Sequence, residues 1–182
     1  MINSFLHEVY VSAIPIAIIA MLALLIVWSV LGERFYKRMR LLGAIVAVVS
    51  VAVILYATLF SRSAKARGYD FIPFSSFQRA VETPEMYRSM LMNVFLFMPL
   101  GMALPFVFRG STEKRILLTI AAGFALSVTV EALQGLFSLG MAETDDVIIN
   151  TLGTVVGSCA YLLSLLWMKM SDKRRKKDKS DK

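Results

Sequence analysis

Apolar residues do not alternate with polar ones along this chain. They run together in five stretches, 10–31, 41–60, 90–108, 116–138 and 147–168, interrupted only by isolated polar residues. Each approaches the roughly 20 residues that a helix needs to cross the hydrocarbon core of a bilayer. Inside lipid every backbone N–H and C=O must be paired, which leaves helices or a closed barrel, and a barrel requires alternation. The pattern therefore predicts an all-α polytopic membrane protein with about five transmembrane helices. It reads as one membrane domain over 1–168 followed by a basic tail over 169–182. Pro99, Gly101 and Pro105 predict that the third helix is bent and packed inside the bundle. At 57% hydrophobic residues the composition exceeds that of an ordinary soluble domain.

Charge adds an orientation. Of the 20 Lys and Arg residues, 15 lie in 32–40, 109–115 and the tail, which share one side if all five stretches span. The other side carries Arg62, Lys65, Arg67, Arg79 and Arg88. The positive-inside rule then predicts a cytoplasmic C-terminus and an outside N-terminus. The start "MINSFLHEVY" lacks the cationic region of a cleavable signal peptide, so the first helix reads as retained. The net charge of +7 is concentrated in the tail, which reads as a membrane-surface element and not as a nucleic-acid site. Cys159 is the sole cysteine and His7 the sole histidine, which argues against thiolate–imidazole zinc chemistry and against Ser–His or Cys–His catalysis.

The polar residues inside apolar stretches carry the chemistry. In "SVTVEALQGLF", Ser127, Glu131 and Gln134 fall at helical spacing on one face. A carboxylate in a lipid-spanning helix is costly, so Glu131 reads as functional, or else as a carboxyl packed between helices or paired with Arg62. Asp146, Asn150, Gly153 and Gly157 share a face of the last helix, and the glycines predict close packing against the fourth helix. Asp145 and Asp146 stand where acidic residues complement a helix N-terminus. Asn93 lies near the outer end of the third helix. The connection 61–89, with Tyr69, Phe71, Phe74 and Phe77, reads as an interfacial or re-entrant cap, or as a lipid-surface anchor.

"DFIPF", "NVFLFMPLGMALP", "VEALQGLF" and "AETDDVIINTLGTVVG", in that order and over about 60–160, resemble the successive motifs of the VanZ-like family. The resemblance implies a small multi-pass protein of the bacterial cytoplasmic membrane, in a family whose founding member is associated with low-level teicoplanin resistance. It carries over Arg62, Ile72-Pro73-Phe74, Asn93, Pro99, Gly101, Glu131, Gln134, Asp145, Asp146, Asn150 and Gly153. The chain departs from the family where Asp70 replaces a frequent Asn. It departs again in "GMAE", where many members carry an Arg before the acidic pair. If that Arg neutralises the acidic pair in those members, the resemblance implies that Arg62 or another cation takes its place here.

Three function classes are open at this point. The first is an outer-leaflet polar site made of Arg62, Asn93, Glu131, Gln134, Asp145, Asp146 and Asn150. It would bind membrane lipids, a lipid-linked cell-wall precursor or a lipoglycopeptide. The second is an enzyme on a lipid-linked substrate, with Glu131 and Asp146 as acid and base or as ligands of a divalent cation. No defined metal motif is present, and the first class needs no cofactor. The third is a small transporter, which the absence of a visible inverted repeat disfavours.

Overall fold

A computed structural model describes residues 2–60, 68–82 and 84–180. Helix α1 spans Ile2–Arg34 and α2 spans Met39–Leu55, ending in a π-helical turn at Tyr56–Phe60. A three-residue strand β1, Gly68–Asp70, leads to the short helix α3, Ser75–Glu82. Helices α4, Pro84–Val107, and α5, Thr112–Phe137, follow. Strand β2, Met141–Glu143, precedes α6, Thr144–Ser180. Among the described residues, five helices are long and apolar enough to span a membrane: Ile14–Arg34, Met39–Phe60, Met86–Val107, Thr112–Phe137 and Thr144–Lys179. The predicted all-α, five-span architecture is thus the observed one, apart from the two short strands.

Local chemistry sets the helix ends. Ser111, in extended backbone, accepts from Lys114 N and starts α5. Ser138 takes a left-handed conformation at the other end, and its N–H and that of Leu139 both reach the Gln134 carbonyl. Pro84 opens α4 at a position that needs no N–H, so the third span starts earlier than its apolar run suggests.

Helix α4 is central. Phe97, Met98, Leu100, Met102, Ala103 and Phe106 are buried, and α4 packs against α6, α2, α5 and α1. Trp28 on α1 donates Nε1–H to the Met102 carbonyl at 2.9 Å. Between two lipid-embedded helices, close backbone approach supplies the dispersion contacts that water would otherwise drive through the hydrophobic effect. Here the approach is between α4 and α6. A Cβ on Gly153 would meet the Val94 carbonyl, one on Gly157 the Met98 carbonyl, and one on Gly101 the Thr154 carbonyl. The close packing expected between the fourth and fifth spans through Gly153 and Gly157 is therefore made instead to the third span. The fourth and fifth spans, α5 and α6, do touch, through Gly123 against the Thr154 side chain and through a bond from Asn150 Nδ2 to Ser127 Oγ of 2.8 Å. A 3.6-residue period identifies an inward face but not which of two flanking helices it meets. Outward, Leu41, Ile45, Val48, Leu117 and Leu136 are exposed, as lipid-facing residues are.

Candidate functional site

At the end of the bundle away from the basic loops, residues 68–82 fold back over α5 and α6. Strands β1 and β2 pair in parallel, with Gly68 opposite Met141, Tyr69 opposite Ala142 and Asp70 opposite Glu143. Helix α3 then begins after Phe74, a left-handed residue with φ of 67°. A non-glycine residue in that conformation is strained and persists only where its surroundings hold it.

Asp145 supplies the holding contact. Its Oδ1 accepts from Phe74 N at 2.6 Å and its Oδ2 from Ser76 N at 2.7 Å. These are N–H groups at the start of α3 that the helix itself leaves unpaired. A carboxylate there also meets the positive end of the helix dipole. At 1% exposure Asp145 is fully buried. It sits in the first turn of its own helix, as its position in the sequence suggests, yet its carboxylate caps a different one.

A second layer of polar contacts surrounds this joint. Ser76 Oγ donates to Glu143 Oε2 at 2.7 Å, and Arg79 Nη2 donates to Ser76 Oγ at 3.0 Å. The same guanidinium lies 2.9 Å from Asp70 Oδ2 and 3.6 Å from Glu143 Oε2. Asp70 further accepts from Ile72 N and Ser75 Oγ. The bonds from Ser75 and Ile72, joined by the Arg79 charge, hold the Asp70 carboxyl below its ordinary value of 3.8. Arg79 is thus the counter-ion of Asp70 and Glu143, while the Asp145 carboxylate is held by backbone N–H groups.

Glu131, 7% exposed, lies beneath this cap, and its Oε2 accepts from Glu143 N at 3.1 Å. It also lines a cavity of about 460 Å³ between α5, the start of α6 and the cap. Val128, Ala132, Leu136, Ala142 and Val147 form most of the wall, with the Glu131, Glu143 and Thr144 side chains at one part of it. Phe71, largely exposed, stands at the cavity too. Ile72, Phe74 and Phe77 are likewise exposed, giving the cap an apolar outer surface.

The remaining sequence candidates are scattered. Gln134 is fully buried and donates Nε2–H to the Thr58 carbonyl at 3.0 Å, tying the π-helical end of α2 to α5. Asn150 bonds Ser127 deeper in the bundle. Their amide oxygens, Gln134 Oε1 and Asn150 Oδ1, are buried without a hydrogen-bond partner. Asn93 and Asp146 are half-buried. Neither they nor Gln134, Asp145 and Asn150 line the cavity that Glu131 lines. Arg62 lies outside the described residues. Among the described residues, no three His, Cys, Asp or Glu side chains stand where they could hold a metal ion.

Sequence reasoning left Ser76, Arg79 and Glu143 out of the candidate set and treated Asp70 only as a departure from a motif. Two local signals were available. Ser75 and Gln78 have the spacing of a helix-start capping box, and Asp70 followed by Ile72 suits an Asx turn.

The fold and this end of the bundle define a five-span helical membrane protein with a polar cap clamped over one end. The chain belongs to the VanZ/LLP1 family, whose model matches residues 21–167. Among curated proteins it is similar to Protein VanZ of Enterococcus faecium, 37% identical over 78 residues. That match covers 43% of this chain and 47% of the relative, about half the length of each. No solved structure matches this one.

Proposed function

We propose that this protein modulates resistance to teicoplanin-type lipoglycopeptides by binding an amphiphile at the capped end of the bundle, facing the cell exterior. The observation that carries the reading is the cavity at Glu131. An apolar wall with carboxylates at one part suits a molecule with an acyl or prenyl tail and a polar head. A lipoglycopeptide and a lipid-linked cell-wall precursor share that chemistry. Kinship with Protein VanZ supports the envelope setting, and the exposed aromatic residues of the cap suit contact with the outer leaflet.

The 15 cations in 32–40, 109–115 and the tail support this orientation through the positive-inside rule. The orientation is tested with Cys159→Ala as background and a single cysteine introduced at Gln78 or at Lys173. A membrane-impermeant maleimide applied to intact cells is expected to label position 78. Labelling at 173 instead would reverse the orientation.

The functional test compares bacteria that express the parent or Glu131→Gln at matched membrane levels. The amide keeps shape and one acceptor but removes the charge. Under the binding reading, teicoplanin protection falls severalfold while the protein still folds. A variant that protects as well as the parent would sink the site. A second reading, acid–base chemistry on a lipid-linked substrate, draws on two carboxylates, Glu131 and Glu143, lining the same cavity. It differs in expecting both Glu131→Gln and Glu143→Gln to abolish protection outright. Glu131 and Asp146, the pair expected from sequence, do not share that cavity.

A further inference from the structure

The basic end of the bundle carries a second cavity, of about 310 Å³. Lys37, Arg40, Arg109 and Arg115 line it, together with Tyr36 and Phe108. The four cations come from the turn between α1 and α2, the first turn of α2, the connection between α4 and α5, and the first turn of α5. No carboxylate lines the cavity.

Like charges repel, so their convergence requires a scaffold. Arg115 is fixed by three contacts: Nε to the Gly110 carbonyl at 3.0 Å, and Nη1 to the Pro105 carbonyl at 3.3 Å and to Tyr36 Oη at 3.4 Å. Its guanidinium carbon also lies 5.8 Å from the centre of the Tyr161 ring. Tyr36 in turn packs edge-on against Phe106. A topology signal needs only a sufficient number of cations on the loops. It does not need them gathered around a concavity with one guanidinium locked in place.

We propose that this cavity binds the phosphate of an anionic phospholipid in the leaflet at this end of the bundle. Phosphate is the anion that several Lys and Arg donors suit. The lipid source follows from what adjoins the cavity. Arg40 leads directly into Leu41, Leu42 and Ile45, and Arg115 into Leu117 and Leu118, all exposed apolar residues on helices long and apolar enough to span a membrane. Basic pockets between spans on the basic side of a membrane protein offer this kind of headgroup site. The inference is independent of the ligand at the opposite end.

The test uses the full chain purified in a neutral detergent. Its thermal midpoint is followed while phosphatidylglycerol, phosphatidylcholine or inorganic phosphate is added. Phosphatidylglycerol is expected to raise the midpoint, and the other two are not. The triple variant Lys37→Gln, Arg40→Gln and Arg109→Gln removes three exposed cations and leaves the locked Arg115. It is expected to need on the order of a hundredfold more phosphatidylglycerol for the same shift. A matched variant of the terminal helix, Lys173→Gln, Arg174→Gln and Arg175→Gln, removes the same charge and is expected to respond like the parent. If the triple variant does not fold, Arg109→Gln alone serves, with about a fivefold shift expected. The proposal fails if the cavity variant responds like the parent or if the terminal-helix variant weakens the response equally. It fails too if phosphatidylcholine or inorganic phosphate stabilises as well as phosphatidylglycerol.

Discussion

Gly157→Leu is expected to abolish recovery of folded protein. A Cβ at this position would fall on the Met98 carbonyl, with Met102 N and Gly101 Cα close behind. All three are backbone atoms of α4, which cannot rotate aside as a side chain can. The substitution must separate α4 from α6, the most extensive interface in the bundle. Ordinary overpacking costs about 1–3 kcal/mol, and a rigid backbone partner puts this site at or above the top of that range. In a membrane no hydrophobic gain offsets the separation, because lipid is as apolar as leucine. Gly157→Ala is expected to be milder but still destabilising, because the clash begins at Cβ. Thermal unfolding in detergent, with the monodispersity of the purified protein, reads both. A Leu variant that melts with the parent would mean that α4 and α6 do not approach here.

Asp145→Asn is expected to release the cap while leaving the spans packed. The aspartate gives one oxygen to Phe74 N and the other to Ser76 N. An asparagine keeps one acceptor and presents an NH₂ group to the other N–H, so one charged hydrogen bond is lost and a buried donor is left facing a donor. Such a loss costs about 2 kcal/mol, and it falls on the start of α3 and on the strained Phe74. By hydrogen exchange the amides of Phe74 and Ser76 are expected to exchange about thirtyfold faster, with little change in α4 and α6. The contrast with Gly157→Leu separates the two devices, one holding the bundle and the other holding what covers its end. Uniform loss of protection throughout the chain would show that Asp145 supports the whole fold and not the cap. Unchanged exchange at Phe74 and Ser76 would show that it caps nothing.

The apolar runs determined the class of protein and the number of spans. Length and hydropathy are sums over about 20 neighbours in sequence, and lipid leaves a helix no alternative to pairing its own backbone. The inward turn of Ser127, Glu131 and Gln134 was equally legible, because a 3.6-residue period is a local property of one helix. The four motifs in order carried the family. Glu131, Asn150 and the glycines were marked as facing protein before any partner was known.

Partners are another matter, since they depend on how helices are arranged around one another. Gly153 and Gly157 read as small residues on a packing face, and only the tertiary structure assigned them to α4 and not α5. Asp145 and Asp146 are adjacent, similar and both in the first turn of α6. The hundred-degree step between them on the helix decided that Asp145 enters the interior to cap α3 and that Asp146 stays half-buried. Arg79 read as one more loop cation until the parallel pairing of β1 with β2 set Asp70 beside Glu143 and made it their common counter-ion. The pairing of Asp70 with Glu143 and the Asp145 bonds to Phe74 and Ser76 each span some seventy residues of sequence. No window of neighbouring positions encodes them, because they exist only once five helices have packed and brought the two short strands together.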